Sequence, residues 1–288
     1  MYLDSLKKIK IENRALYQIA EFVLRILGTV SPEGKGEKLF VNSFPKSGTH
    51  LLTSILGAVD SYHFSGKHLK KYEVNNLANS ENNNFKFSLD QNSLRNNVCK
   101  IKRGQYLTTH LPYEKEIVEI LDNVNFAVVN IIRDPRAIAL SEAHYIRGLK
   151  RHYLHKEFIN RSSNIEEAVK LVVDGFEYAN GCYPGLNERL ASYFGWIEDE
   201  KVTTLKFEKM VGSDKGGSDD DLLKTIISII SCIGRSDVDA NSVIEVFKQQ
   251  NSATLRKGLV NSWENELSKD VIDYMNNNLE SSLKNYDY

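Results

Sequence analysis

Phe40-Val41-Asn42-Ser43-Phe44-Pro45-Lys46-Ser47-Gly48-Thr49-His50 decides how the rest of this chain reads. A β-rich run over 39–43 ends in a short loop holding Lys46, Ser47, Gly48 and Thr49, and a helical pattern follows over 50–59. A strand, a loop and a helix start in this order gather unpaired backbone N–H groups and the positive end of the helix dipole at one place. Anions bind there. Lys46 adds a point charge, Gly48 permits close backbone approach, and the hydroxyls of Ser47 and Thr49 can donate to an anionic oxygen. The spacing differs from a Walker A loop, because G-x-x-x-x-G-K-[ST] is absent.

Outward from this loop, strand-like runs alternate with helical patterns, which predicts an α/β fold with a central parallel sheet flanked by helices. The clearest strands are 39–43, 126–132 and 202–207; helices are expected over 135–149, 165–178, 222–233 and 269–283. Pro135 stands where a first-turn proline is tolerated, and Ala168, Leu171, Val172 and Phe176 mark one helix face. Residues 75–97, with nine asparagines, predict a surface loop, and the Gly/Ser/Asp-rich stretch 212–220 predicts a flexible connection. Leu16, Ile19, Ala20, Val23 and Leu27 repeat at helical spacing, so 1–36 reads as an amphipathic helix and its lead-in. No repeat or linker divides 1–288, and one domain is expected.

The chain has 288 residues, with Lys+Arg 37 against Asp+Glu 38, a formal net charge of -1, 41% hydrophobic and 26% charged residues. That balance excludes a basic nucleic-acid coat, an acidic disordered tail and a collagen-like repeat. Taken as an average, it also speaks against a highly anionic ligand. A chain of this size can bury a full core without metal or disulfide. Cys99, Cys182 and Cys232 are widely spaced and read as buried free thiols in a reducing compartment. No run approaches the roughly 18 apolar residues of a membrane span. The expectation is a soluble cytoplasmic protein without nucleic-acid or membrane partners; oligomeric state is not legible.

Three further segments carry chemistry. Arg133-Asp134-Pro135-Arg136 follows the strand 128–132, with Ser141 about two turns into the next helix. Arg256-Lys257-Gly258 sets two cations beside a glycine, and Thr108-Thr109-His110-Leu111-Pro112 puts a histidine at the end of a β-like run. Singly, these read as a helix-start salt bridge, a solvated basic turn and a structural histidine. Together with 45–49, in this order, they resemble the cytosolic type of sulfotransferase that uses 3′-phosphoadenosine 5′-phosphosulfate (PAPS). The resemblance runs from about Leu39 to Trp263.

It implies the P-loop nucleoside-triphosphate-hydrolase-like sulfotransferase fold. In that family Pro45 to Thr49, followed by His50 and Leu51, would grip the 5′-phosphosulfate. Arg133 and Ser141 would hold the 3′-phosphate, and Arg256, Lys257 and Gly258 would form a second clamp on it. His110 would be the base, Phe207 would lie near the adenine, and Phe247 would stack on it. Three departures stand out: His50-Leu51 replaces the Thr-Trp of many animal members, Thr108 replaces a lysine, and Asn261-Ser262 replaces Gly-Asp before Trp263.

The reaction so implied moves a sulfuryl group from PAPS to a hydroxyl or amine of a small-molecule acceptor, possible acceptors including natural products, and leaves adenosine 3′,5′-bisphosphate (PAP). Positioning and electrostatics carry such a step. Lys46 would stabilise the leaving phosphate, His110 would take the acceptor's proton, and Ser141 would steer Lys46. No metal is implied. Tyr113, His144 and Tyr145 are candidate walls of the acceptor pocket, built with loops in 60–100 and 146–163. The alternatives are a glycan sulfotransferase and a small-molecule kinase on a related P-loop fold, the latter needing a Walker loop or Mg²⁺ carboxylates.

Overall fold

The computed structural model describes residues 33–76, 87–179, 181–251 and 259–288, with Ile19, Val23 and Ile26. Residues 1–32, where most of the N-terminal helix was expected, and the basic turn Arg256, Lys257 and Gly258 otherwise lie outside the described residues.

Strands β1 (Lys38–Ser43), β2 (His63–Leu69), β3 (Gln105–Thr109), β4 (Phe126–Ile132), β5 (Gly175–Tyr178), β6 (Gly181–Pro184) and β7 (Val202–Lys206) are separated by helices or turns. Five of them form one parallel sheet in the order β2-β3-β1-β4-β7, while β5 and β6 pair as an antiparallel hairpin. Helix α1 (Thr49–Leu56) follows β1, α2 (Gln91–Val98) precedes β3, α3 (Lys115–Asn123) joins β3 to β4, and α4 (Pro135–Gly148) follows β4. Then come α5 (His155–Arg161), α6 (Ile165–Asp174), α7 (Leu186–Ala191) and α8 (Gly195–Glu198). After β7 lie α9 (Asp219–Cys232), α10 (Ala240–Asn251), α11 (Ser262–Glu266), α12 (Lys269–Asn278) and α13 (Glu280–Tyr286).

The sheet is apolar on both faces because helices cover both. Phe40, Leu107 and Val128 point into one cluster with residues of α3, α4 and α6; Leu39, Val41, Tyr106 and Val129 point into another with α1, α9 and α10. Each fully buried Leu, Ile or Phe side chain contributes about 1.5–3 kcal/mol. After β1 the chain turns toward β2, and after β4 it turns toward β7. Connections that diverge in this way leave a crevice at the carboxyl ends of β1 and β4, where ligands of open α/β sheets bind.

Several local expectations change. The asparagine-rich stretch contains α2: Asp90 caps it by accepting from Ser93 N–H at 3.0 Å and Ser93 Oγ at 2.7 Å, while Leu94 and Val98 are buried on one face. The helix expected over 165–178 stops at Asp174, where Gly175 has φ 73° and a Cβ would lie 2.3 Å from Tyr183 O, and Phe176 belongs to the hairpin. Residues 212–220 close on themselves as a short 3-10 turn, with Lys215 N–H and Gly217 N–H both donating to Gly212 O. The expected helix 269–283 is two helices meeting at the buried Leu279. All three cysteines are free thiols, but Cys99 and Cys182 are exposed and only Cys232 is partly buried.

Candidate functional site

Residues 44–48 turn the chain from β1 into α1 through two left-handed positions, Lys46 (φ 72°) and Gly48 (φ 109°). Such a sequence curls successive amides toward a common point. Gly48 lies against Phe207, where a Cβ would come within 2.5 Å of the ring, so only glycine lets the loop sit there. Ser47 is fully buried, and among the described residues its Oγ has no hydrogen-bond partner. Thr49 Oγ1 is 2.6 Å from Ser43 Oγ. His50 is exposed in the first turn of α1, and its carbonyl accepts from Thr53 and Ser54 hydroxyls at 3.1 and 3.0 Å.

Arg133 enters from the end of β4. It is 9% exposed, donates through Nη1 to Lys46 O at 3.1 Å, and lies 4.1 Å above the Phe207 ring. Its Nε is buried without a hydrogen-bond partner among the described residues. Burial lowers the guanidinium's affinity for its proton, and Glu208 and Asp134 push it back up. The turn is fixed on its other side. Glu208 accepts from Asp134 N–H at 3.1 Å and from the Tyr288 hydroxyl at 2.5 Å, and Asp134 caps α4 by accepting from Arg136 N–H at 2.8 Å. Two buried polar atoms, Ser47 Oγ and Arg133 Nε, thus border the loop with hydrogen-bonding capacity that an anionic oxygen can fill.

His110 follows β3. Its Nδ1 is 2.8 Å from Ser43 O and 3.2 Å from Ser43 Oγ. A carbonyl can only accept, so in the neutral ring the proton sits on Nδ1 and the basic lone pair on Nε2. The backbone around it is clamped. Tyr193 Oη donates to His110 O at 2.9 Å, Leu111 N–H donates to Asn42 Oδ1 at 2.9 Å, and Leu111 O accepts from Trp196 Nε1 at 3.0 Å and Asn42 Nδ2 at 3.2 Å. Asn42 Nδ2 also reaches Asn130 Oδ1 of β4 at 3.3 Å. Asn42 therefore locks the ends of β1, β3 and β4 together and holds His110 in fixed relation to Lys46 and Arg133.

Lys46 Nζ lies 4.1 Å from the centroid of the Tyr145 ring. Ser141 is one turn earlier on α4, so the two side chains share a face beside the lysine. A cavity of about 200 Å³ opens there, lined by Pro45, Lys46, Tyr145, His152, Tyr153 and Tyr183 over Glu142 and Arg189. Arg189 Nη1 donates to both Glu142 oxygens, at 2.9 and 3.1 Å. Burial, with smaller effects from His155 and Lys46, pushes His152 below the ordinary histidine value despite nearby Glu142. A larger cavity of about 420 Å³ lies by β7, lined by Lys206, Lys209 and Lys224 among others, and includes no residue of the loop 44–48.

Of the expected acceptor walls, only Tyr145 reaches the cavity beside Lys46. His144 Nε2 turns to Glu266 Oε2 at 3.0 Å, and the Tyr113 hydroxyl donates to Asp199 Oδ2 at 2.9 Å while its ring packs edge-on against Trp196. Leu51, Phe207 and Phe247 are all buried in the cluster under α1, α9 and α10. Asn42, Glu208, Tyr288, Glu142 and Arg189 were not singled out from sequence. Asn42 alone carries a visible signal, a polar residue within an otherwise apolar strand. Among the described residues no group of three or more His, Cys, Asp or Glu is placed to hold a metal ion.

The family model described as a sulfotransferase domain matches residues 36–215. No curated protein matches the chain in sequence. Among solved structures, mouse sulfotransferase SULT7A1 complexed with PAP has a TM-score of 0.55 at 18% identity, covering 91% of this chain and 90% of that one. Retinol dehydratase in complex with androsterone and inactive cofactor PAP has a TM-score of 0.53 at 14% identity, covering 87% and 82%. At these identities the likeness is one of fold.

Proposed function

Because this chain belongs to the sulfotransferase family, we propose that it transfers the sulfuryl group of PAPS to a hydroxyl or amine of a small-molecule acceptor. The observation that carries the reading is the pair of buried polar atoms beside the loop, Ser47 Oγ and Arg133 Nε, that have no hydrogen-bond partner among the described residues. They suit a nucleotide with phosphate at both ends. The loop amides and Lys46 take the 5′-phosphosulfate, Arg133 and Ser141 take the 3′-phosphate, and Arg256, Lys257 and Gly258 complete the clamp. Phe207, whose ring lies under Arg133, and Phe247 are the aromatic residues this reading assigns to the adenine.

The acceptor enters the cavity beside Lys46, against Tyr145. Its oxygen or nitrogen attacks sulfur in line with departure of the 5′-phosphate, by the logic of phosphoryl transfer. His110 Nε2 takes the acceptor's proton while Nδ1–H stays on Ser43 O, which holds the ring through the step. Lys46 and the amides of Gly48, Thr49 and His50 meet the charge growing on the bridging oxygen and leaving phosphate. Lys46 Nζ lies over the Tyr145 ring, on the side of the loop where the cavity opens.

The test is an acceptor screen with PAPS, read by a mass gain of one sulfuryl group. Sulfated product is expected with the native chain; His110→Ala should reduce turnover at least about 100-fold, the scale of general-base catalysis, with PAP affinity unchanged. Comparable turnover in His110→Ala removes the histidine from the mechanism.

A further inference from the structure

His68 is the second-last residue of β2, paired in register with Thr108 of β3. Its Nδ1 lies 2.9 Å from Thr108 Oγ1, and its ring meets that of His110 edge-to-face, with centroids 5.2 Å apart and planes at 66°. The approach is built into the strand. Phe64 pairs with Tyr106 and His68 with Thr108, so Ser65, Gly66 and Lys67 together oppose Leu107. Gly66 takes φ 76° in this bulge, and Lys67 Nζ anchors it to Glu73 Oε1 at 2.6 Å with both side chains largely buried. Bulges beside sites re-aim side chains. Here the insertion brings an imidazole onto the face that carries Thr108 and His110.

We infer that His68 is a positioning residue for His110: it fixes the plane of the ring and competes with it for a proton, so that His110 stays neutral to lower pH. The inference rests on the reading of His110 as the base. Two imidazoles this close resist being cationic together, because a like charge within a few ångströms disfavours the second protonation. Such a pair titrates as a unit in two separated steps. In the singly protonated pair, a proton on His68 leaves the Nε2 lone pair of His110 available to an acceptor. Thr108 serves by orienting His68. Other charged or titratable groups on the surrounding elements are Lys46 and His50 after β1, Lys67 within β2, Lys70 and Glu73 in the turn that follows it, Arg133 after β4, and Tyr193 before α8. They remain in place when His68 is changed, so they set the absolute midpoints and not the difference between the two proteins.

The direct test is ¹⁵N imidazole NMR of the full chain across pH. In the native protein the two histidines should titrate in separated steps, the His68 signal moving in the first and the His110 signal mainly in the second, at least about one pH unit lower. In His68→Asn the His110 midpoint should rise. An unchanged His110 midpoint in the variant overturns the inference, and should His68→Asn fail to fold, His68 and His110 signals that move together in one step in the native protein overturn it alone. Turnover gives the second readout. Relative to its rate at pH 8, His68→Asn should lose about fivefold more activity than the native enzyme at pH 5.5, with the KM for PAPS within about twofold because His68 acts through Thr108 and His110 and lies outside the loop 44–48. An unchanged pH profile with a raised KM contradicts it. Failure here is separable from failure of the base assignment: activity in His110→Ala sinks the base, whereas an inactive His110→Ala with unsplit titration sinks only the role of His68.

Discussion

Arg133 is a buried guanidinium whose Nε lacks a hydrogen-bond partner among the described residues, and burial itself weakens its hold on its proton. An unsatisfied buried donor costs about 1–3 kcal/mol. A ligand phosphate reverses that sign, since a hydrogen bond to a charged group contributes about 1.5–3 kcal/mol. Arg133→Met should therefore weaken PAP binding about 10- to 100-fold in calorimetry without lowering the unfolding temperature of the ligand-free protein. Unchanged PAP affinity with a lower unfolding temperature would make Arg133 a structural residue. Lys46, Ser47, Gly48, Thr49, Arg133 and His110 were legible in the sequence because strand-to-helix junctions and strand ends announce themselves by residue type. Asn42 and His68 were not. Their partners, Leu111 and Asn130 for one and Thr108 and His110 for the other, are set by strand register, which the chain order alone does not reveal.

At the scale of the element, α4 does most to organise the site. Asp134 caps it and Pro135 starts it; Tyr145 lies against Lys46, and Glu142 pairs with Arg189 in the lining of the cavity. Glu142 and Arg189 are each 8% exposed. Burial alone lowers the proton affinity of Arg189, and the Glu142 carboxylate more than restores it. Removing one partner strands the other, at about 3–5 kcal/mol. Arg189→Met should lower the unfolding midpoint by on the order of 10 °C, and Arg189→Met with Glu142→Gln should recover part of it. A double variant no more stable than the single one would show that the pair is held by other contacts. The start of α4 could be read from Pro135, whereas the end of α6 could not: Phe176 continues the apolar spacing, and only the φ of Gly175, pressed on Tyr183, shows why the chain turns into a hairpin. In α2 the Asp90 cap and the Leu94/Val98 face outweigh the low helix propensity of Asn92, Asn96 and Asn97.

Over the whole molecule, a net charge of -1 coexists with a concentrated cationic site. The parallel sheet places the loop 44–48 after β1 and Arg133 after β4 on neighbouring strands, so Arg133 reaches the Lys46 carbonyl although 87 residues separate them in the chain. The chain average therefore does not exclude an anionic ligand of compact size. The central claim is that this site is shaped for a nucleotide with a phosphate on the 3′ position as well as the 5′. Unfolding midpoints recorded with PAP and with ATP test it most directly. PAP at about 100 times its Kd should stabilise by about 2.7 kcal/mol, raising the midpoint by about 5–10 °C, while ATP at the same concentration gives a clearly smaller rise. An ATP response equal to or larger than that of PAP, or no response to PAP, would contradict the account.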